Sequence, residues 1–190
     1  GLRLSEGDVE ALEERTEGWI AGLQMAALSL RGRADAAGFI REFSGSHRFV
    51  FDYLLQEVLE RQPQDVRDFL LQTSILDGLN GALCDAVTGR ADGAALLEAL
   101  ERANLFLVPL DDQRRWYRYH HLFAHVLRAR LREALPGRLA LLHRRAGVWY
   151  EQNGMPFEAI PHLFAAGDLE RVAALLQQEV SVLEGSPHAS

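Results

Sequence analysis

Apolar residues recur every three to four positions along most of this chain, a spacing that predicts amphipathic helices. Ser5 and Asp8 have capping-box spacing ahead of a helix that runs to about Arg15. Thr16, Glu17 and Gly18 then predict a sharp turn, with Gly18 free to adopt positive φ. A second helix carries Trp19, Ile20, Leu23, Met25, Ala26, Ala27 and Leu30. The strongest stripe lies between His47 and Gln62, where Val50, Phe51, Leu54, Leu55, Val58 and Leu59 share one helical face. Pro63 closes that helix and suits the first turn of the next, which holds Val66, Phe69 and Leu70. A loop from Asp77 to Gly81 leads to a short helix from about Leu83 to Val87 and another from Ala94 to Ala103.

The period then changes from helical to extended. Leu105 to Leu110 reads as a strand, with Pro109 near its end, and Arg115 to Tyr119 as a second, aromatic one. Asp111 to Arg114 makes the connecting loop, so the two form a hairpin. A helix resumes at His120 and carries Leu122, Phe123, Val126, Leu127 and Leu131 on one face. Helices, a hairpin and a closing helix outline a winged-helix domain. Pro136 separates a tail, where Leu139, Leu142, Ala146, Trp149 and Tyr150 stripe a helix that Gly154 stops. Helices from Pro156 to Ala165 and from Leu169 onward follow, like the opening of a tetratricopeptide-like array. The fold class is therefore mainly α: a winged-helix domain with one β-hairpin, then tetratricopeptide-like helical hairpins. Three regions are expected, residues 1–32, 33–135 and 136–190, with a disordered end from Glu184 to Ser190.

Composition narrows the functions. Hydrophobic residues make up 48% and charged residues 25%, an ordinary globular balance that can fill a core. Net charge is -7, which argues against a stand-alone phosphate-binding surface. Every basic side chain is Arg or His, because there is no Lys. The single cysteine, Cys84, excludes an internal disulfide framework and a cysteine zinc site, and suits a reducing, cytoplasmic setting. No apolar run approaches the ~18 residues of a membrane span, and no signal peptide opens the chain. With Gly1 in place of an initiator Met, the sequence reads as a piece of a longer protein.

Candidate chemistry is sparse. A phosphate-cradling G-x-x-x-x-G-K-S/T loop needs a lysine, so ATP hydrolysis by these residues alone is not expected. No G-x-S-x-G elbow is present, and Asp111 with Asp112 reads as a pair of turn formers. No catalytic residue is expected. His121 and His125 lie one helical turn apart, beside His120, and could chelate a metal. Leu122 stands where the zinc-protease pattern needs Glu, so no metal site is expected and a His-metal hydrolase is the weakest reading. Arg114, Arg115, Arg118, Arg128, Arg130 and Arg132 make the hairpin and closing helix locally basic. A winged helix acting directly on DNA is thus the alternative to a surface that faces water or another domain.

Several stretches, taken in order, carry a resemblance. These are Glu14 to Trp19 with Ala21 to Leu23, then Asp52 to Leu59, then Phe69 to Ser74, then Leu100 to Leu110, then Trp116 to Ala124. Together they resemble the middle of the large ATP-binding regulators of the LuxR family, the maltose-activator-like members of the STAND class of NTPases. The resemblance implies a regulatory, non-catalytic portion that couples nucleotide state to a sensor and a DNA reader. It implies a preceding NTPase core that binds ATP or ADP, with residues 1–32 as the end of the helical domain after it. The partners it implies are that core, the sensor repeats, a small-molecule or protein inducer, and a further copy of the active full-length form. DNA would be reached through a C-terminal helix-turn-helix beyond Ser190, and no membrane is involved. Two positions carry over as nucleotide contacts. His120, in Tyr119-His120-His121-Leu122, matches a winged-helix histidine that reaches the phosphates of ADP. Gly18, Trp19 and Ile20 match a Gly-x-Pro turn that packs on adenine, with Ile20 in place of Pro. His121 replaces the acidic residue of the first motif. No cofactor is expected within the chain itself.

Overall fold

A computed structural model describes residues 6–20, 22–23, 26, 40 and 48–185. Most of the second expected helix, Ser5 and the end from residue 186 lie outside the described residues, although Ile20, Gly22, Leu23 and Ala26 have helical backbone. Helix α1 spans Glu6–Thr16. After it come α2 (Arg48–Tyr53), α3 (Gln64–Thr73), α4 (Gly81–Thr88) and α5 (Gly93–Arg102). The hairpin strands are β1 (Leu107–Pro109) and β2 (Tyr117–Tyr119), and α6 (His121–Ala134) follows. A 3-10 turn at Pro136–Arg138 leads to α7 (Leu139–Gln152), α8 (Pro156–Ala165) and α9 (Leu169–Gly185). Among the described residues the architecture is mainly helical with one small antiparallel sheet, as the periodicity predicts.

Several expected elements are redrawn, each for a local reason. The stripe between His47 and Gln62 is not one α-helix: after α2 the ladder becomes π-helical over Leu54–Leu59. The extra residue per turn turns Leu54, Val58 and Leu59 all into the core. The short helix expected from Leu83 starts two residues earlier, because the Asn80 side chain accepts the Leu83 N–H at 2.8 Å and caps it. Strand β1 begins at Leu107 instead of Leu105, since Asn104 and Phe106 adopt positive φ of 51° and 55° and cannot continue an extended run. Strand β2 loses Arg115 and Trp116 to the loop, where the Asp111 carboxylate accepts both their N–H groups at 3.1 and 3.0 Å. His120 is the cap of α6 and not its first residue. Glu184 and Gly185, expected in a disordered end, are the last residues of α9.

The sheet pairs Leu107 with Tyr119 and Pro109 with Tyr117. Leu79 bridges the other edge of Tyr117 through reciprocal bonds of 2.8 and 2.9 Å, a contact the loop residues around it did not announce. Beneath the hairpin the Tyr119 hydroxyl meets Thr73 Oγ1 at 2.7 Å. Thr73 donates its own hydrogen to the Phe69 carbonyl, so Tyr119 is the donor. Burial pushes the Tyr119 phenol far up and the Cys84 thiol up to about 12, which keeps both neutral in the core.

One apolar cluster runs from α2 through the hairpin and α6 into α7 and α8, without interruption at Pro136. Helix α7 packs on α4, and the Arg145 guanidinium donates to the Val87 carbonyl at the end of α4 at 2.9 Å. Helices α7 and α8 pack closely, because Gly147 has no side chain to hold them apart. A Cβ there would stand 2.6 Å from Leu163 Cγ and 3.2 Å from the Leu163 backbone N. Gly147→Val is expected to wedge this hairpin open and destabilise the chain by about 1–3 kcal/mol. Thermal unfolding of the variant beside the parent checks this, and an unchanged midpoint would contradict the close packing.

Candidate functional site

The end of the hairpin delivers three polar side chains, Arg118, His120 and His121, to one place. Alternation along β2 buries Tyr117 and Tyr119 and leaves Arg118 half-buried on the outer face. His120 follows as the cap of α6, fixed by its own N–H donating to the Phe106 carbonyl at 2.7 Å. The positive φ of Phe106 turns that carbonyl toward His120 and lets its ring pack beside the imidazole, 5.9 Å away. On the facing side α1 ends in a tight turn. Glu17 and Gly18 both adopt positive φ, 48° and 73°, as the turn expected at Gly18 requires. This reverses the chain and points the Thr16 carbonyl and the Glu17 carboxylate at the hairpin.

The two sides meet through four polar contacts. His120 is 5% exposed and its Nε2 lies 2.8 Å from the Thr16 carbonyl oxygen. A carbonyl only accepts, so Nε2 carries the hydrogen. Nδ1 accepts the Leu122 N–H at 3.3 Å. Both ring nitrogens are thus engaged, and the imidazole is fixed as the neutral Nε2–H tautomer. Desolvation by burial, above all, pushes its pKa down, although the Thr16 bond and Glu17 pull the other way. Arg118 donates to both Glu17 oxygens at 3.0 Å, a two-pronged ion pair. His121 adds an Nδ1–H bond to Glu17 Oε1 at 2.8 Å and stacks on His120 at 4.9 Å. Partial burial pushes the Glu17 carboxyl up, but the bonds from Arg118 and His121 outweigh it and hold the carboxyl below its usual range.

The expected nucleotide residues sit around this junction. Gly18 makes the turn. Trp19 packs edge-on against Phe106 at 5.0 Å and lies 6.2 Å from the His120 ring. Ile20 is 71% exposed and offers its side chain outward. For His120 to offer an N–H to a phosphate, it would first have to leave the Thr16 carbonyl. Sequence reasoning did not single out Thr16, Glu17, Arg118 or Phe106 as parts of this site. Glu17 and Arg118 are 101 residues apart, and only the fold joins them.

Glu17, His120 and His121 also offer three ligand atoms within 4.8 Å of one another. His120 Nε2 carries a hydrogen bonded to Thr16, and the Arg118 guanidinium holds both Glu17 oxygens, so a metal would have to displace both partners. His125 is not in that group. Among the arginines of the hairpin and α6, four meet carboxylates: Arg114 with Glu101, Arg118 with Glu17, Arg128 with Asp77 and Arg130 with Glu133. Pairing of this kind leaves a weak surface for nucleic-acid phosphates. No helix among the described residues is long and apolar enough to cross a membrane.

The fold and junction define a winged-helix domain tied to the turn before it and followed by helical hairpins. Residues 55–139 match the MalT winged helix domain. Over 179 residues, 94% of this chain, it is 41% identical to the serine/threonine-protein kinase PknK of Mycobacterium tuberculosis, covering 16% of that protein. Over 92% of its length it is 38% identical to the HTH-type transcriptional regulator MalT of Yersinia pestis, covering 20% of that protein. The chain thus spans a sixth to a fifth of the length of these relatives.

The junction has a defined pH response. A histidine whose folded pKa lies below its unfolded value contributes stability that is fully present above the unfolded pKa, near 6.5, and lost as pH falls through the folded pKa. Acidification below about pH 6.5 is therefore expected to lower the unfolding temperature, with a smaller slope in His120→Gln. An identical slope in parent and variant would show that His120 is not buried neutral.

Proposed function

We propose that this chain is the regulatory, non-catalytic middle portion of an ATP-dependent, inducer-responsive transcription regulator of the LuxR type. In this reading the winged helix is latched to the helical segment before it, and the latch couples nucleotide state to the sensor repeats and the DNA reader. The observation that carries the reading is the junction itself, where Thr16 and Glu17 hold Arg118, His120 and His121 in one buried-to-exposed ladder of polar contacts. Similarity to a transcriptional regulator over nearly the whole chain supports the same class. The kinase relative does not move the reading toward catalysis: P-loop NTPases and protein kinases both place a lysine on nucleotide phosphates, and this chain has none.

ADP and the preceding NTPase core belong to this proposal. The residues fit a nucleotide in part. Ile20 offers exposed apolar surface of the kind a base packs on. The His120 N–H is already held by Thr16, so His120 acts here as a positioning residue that keeps the winged helix seated. Inducer binding to the repeats would bias the seated against the released arrangement. The partners are the core, the repeats, the inducer, a second copy in the active form, and DNA through a helix-turn-helix outside this chain.

The latch and a direct phosphate contact give different results in a full-length protein that contains this chain. With a latch, His120→Ala and Glu17→Ala both raise transcription without inducer and both speed ADP release, because each removes one side of the same contact. With a phosphate contact, His120→Ala alone alters ADP release. Unchanged basal activity and unchanged ADP release in both variants would overturn the coupling role.

A further inference from the structure

Helices α6, α7 and α8 and the turn after α3 line an open pocket of about 480 Å³, remote in sequence from the turn at Glu17. Ile75, Leu131 and Leu139 give it an apolar wall, and Arg132, His143 and His162 give it a polar one. The two histidines are an unusual pair. Their Nδ1 atoms lie 2.9 Å apart, with ring centres separated by 5.0 Å. Two bare nitrogens would repel at that distance, and so would two N–H groups. One ring must therefore carry its hydrogen on Nδ1 and the other must accept it. The first ring then has a bare Nε2 and the second an Nε2–H. Neither Nε2 has a protein partner among the described residues.

The charges around the pair favour an anion. Asp77 is the pocket's carboxylate, and the Arg128 guanidinium neutralises it at 2.7 Å while also donating to the Ser74 carbonyl. Arg132 lines the same pocket and has no carboxylate partner among the described residues. Tyr150 stacks on His162 at 5.6 Å and stays neutral, its phenol pushed up to about 12 by burial first and by nearby acids second. Desolvation above all lowers the pKa of both histidines; Arg128 adds to it at His143, and His162 goes to about 4, with His143 and Arg128 adding and Asp77 opposing. A metal cation would meet the unpaired Arg132 guanidinium, with the one lining carboxylate, Asp77, already held by Arg128. An anion would meet one unpaired guanidinium and one N–H, against an apolar wall.

We propose that this pocket binds a small organic anion, a monocarboxylate with an apolar body, paired with Arg132 and hydrogen-bonded by the His143–His162 pair. Binding takes up a proton. The added proton goes to the bare Nε2, the Nδ1–H to Nδ1 bond is kept, and the pair then presents two Nε2–H donors to the carboxylate. A second proton would set two N–H groups face to face, so uptake stops at one. The ligand touches α6 of the winged-helix part and α7 and α8 of the first helical hairpin, and its binding strengthens their contact. This inference does not depend on His120 or on nucleotide.

Calorimetry on the chain tests it, with benzoate and hexanoate as probes near pH 7 in two buffers of different ionisation enthalpy. Saturable binding of either probe is expected, with a buffer-dependent heat that reports uptake of up to one proton. Arg132→Gln is expected to weaken binding about tenfold or more, the loss of one charge-assisted contact. Replacing both rings, His143→Phe with His162→Phe, is expected to abolish the buffer dependence while leaving some binding. Far-ultraviolet circular dichroism of both variants confirms that they fold. No saturable binding up to tens of millimolar overturns the proposal. Equal binding by Arg132→Gln overturns it too, and so does stoichiometric zinc binding that replacing both rings removes while neither carboxylate binds.

Discussion

The winged helix of this protein is seated by one hydrogen bond that water cannot easily replace, from the His120 Nε2–H to the carbonyl of Thr16. The bond lies under Phe106 and Trp19 and draws its strength from that dry setting. A buried imidazole with a partner on each nitrogen tolerates neither a proton nor a shift of its neighbours. The ion pair between Glu17 and Arg118 and the Glu17–His121 bond stand at the rim, where they are partly solvated and individually weak. Their contribution is to close the edge over His120, so the outer ladder protects the inner bond.

Everything that positions the bond is local chemistry with a long reach. The positive φ values of Glu17 and Gly18 turn α1 back, and that of Phe106 aims its carbonyl at the His120 N–H. Such conformations cost about 1–3 kcal/mol at residues other than glycine. They persist because the packing around them is dense: Phe123, Tyr119 and Leu122 are all buried beneath the cap. In the role proposed for it, a contact built on strained turns over a rigid core has two arrangements, seated and released, without the core itself rearranging.

Much of the fold is legible in the sequence because helices and strands differ in period. The hairpin, the break at Gly154 and the helices on either side of it follow from spacing and from glycine alone. The π-helical segment is not legible, since Leu54 to Leu59 reads as an ordinary stripe until one asks which residues must face inward together. Strand β1 comes out too long because nothing in the residues Asn104 and Phe106 marks them for positive φ. At the site, resemblance pointed to His120, Gly18, Trp19 and Ile20. Glu17 was visible only as part of a turn, and Arg118 as one of six arginines. Their pairing is a property of the tertiary fold, as is the meeting of His143 with His162 across a helical hairpin.

The central claim concerns a single proton, and nitrogen-15 NMR of the histidine side chains reads it directly. At neutral pH the account predicts that His120 is uncharged, with its hydrogen on Nε2 and a correlation across the bond to the Thr16 carbonyl carbon. An imidazolium, or a neutral ring with its hydrogen on Nδ1, would contradict it.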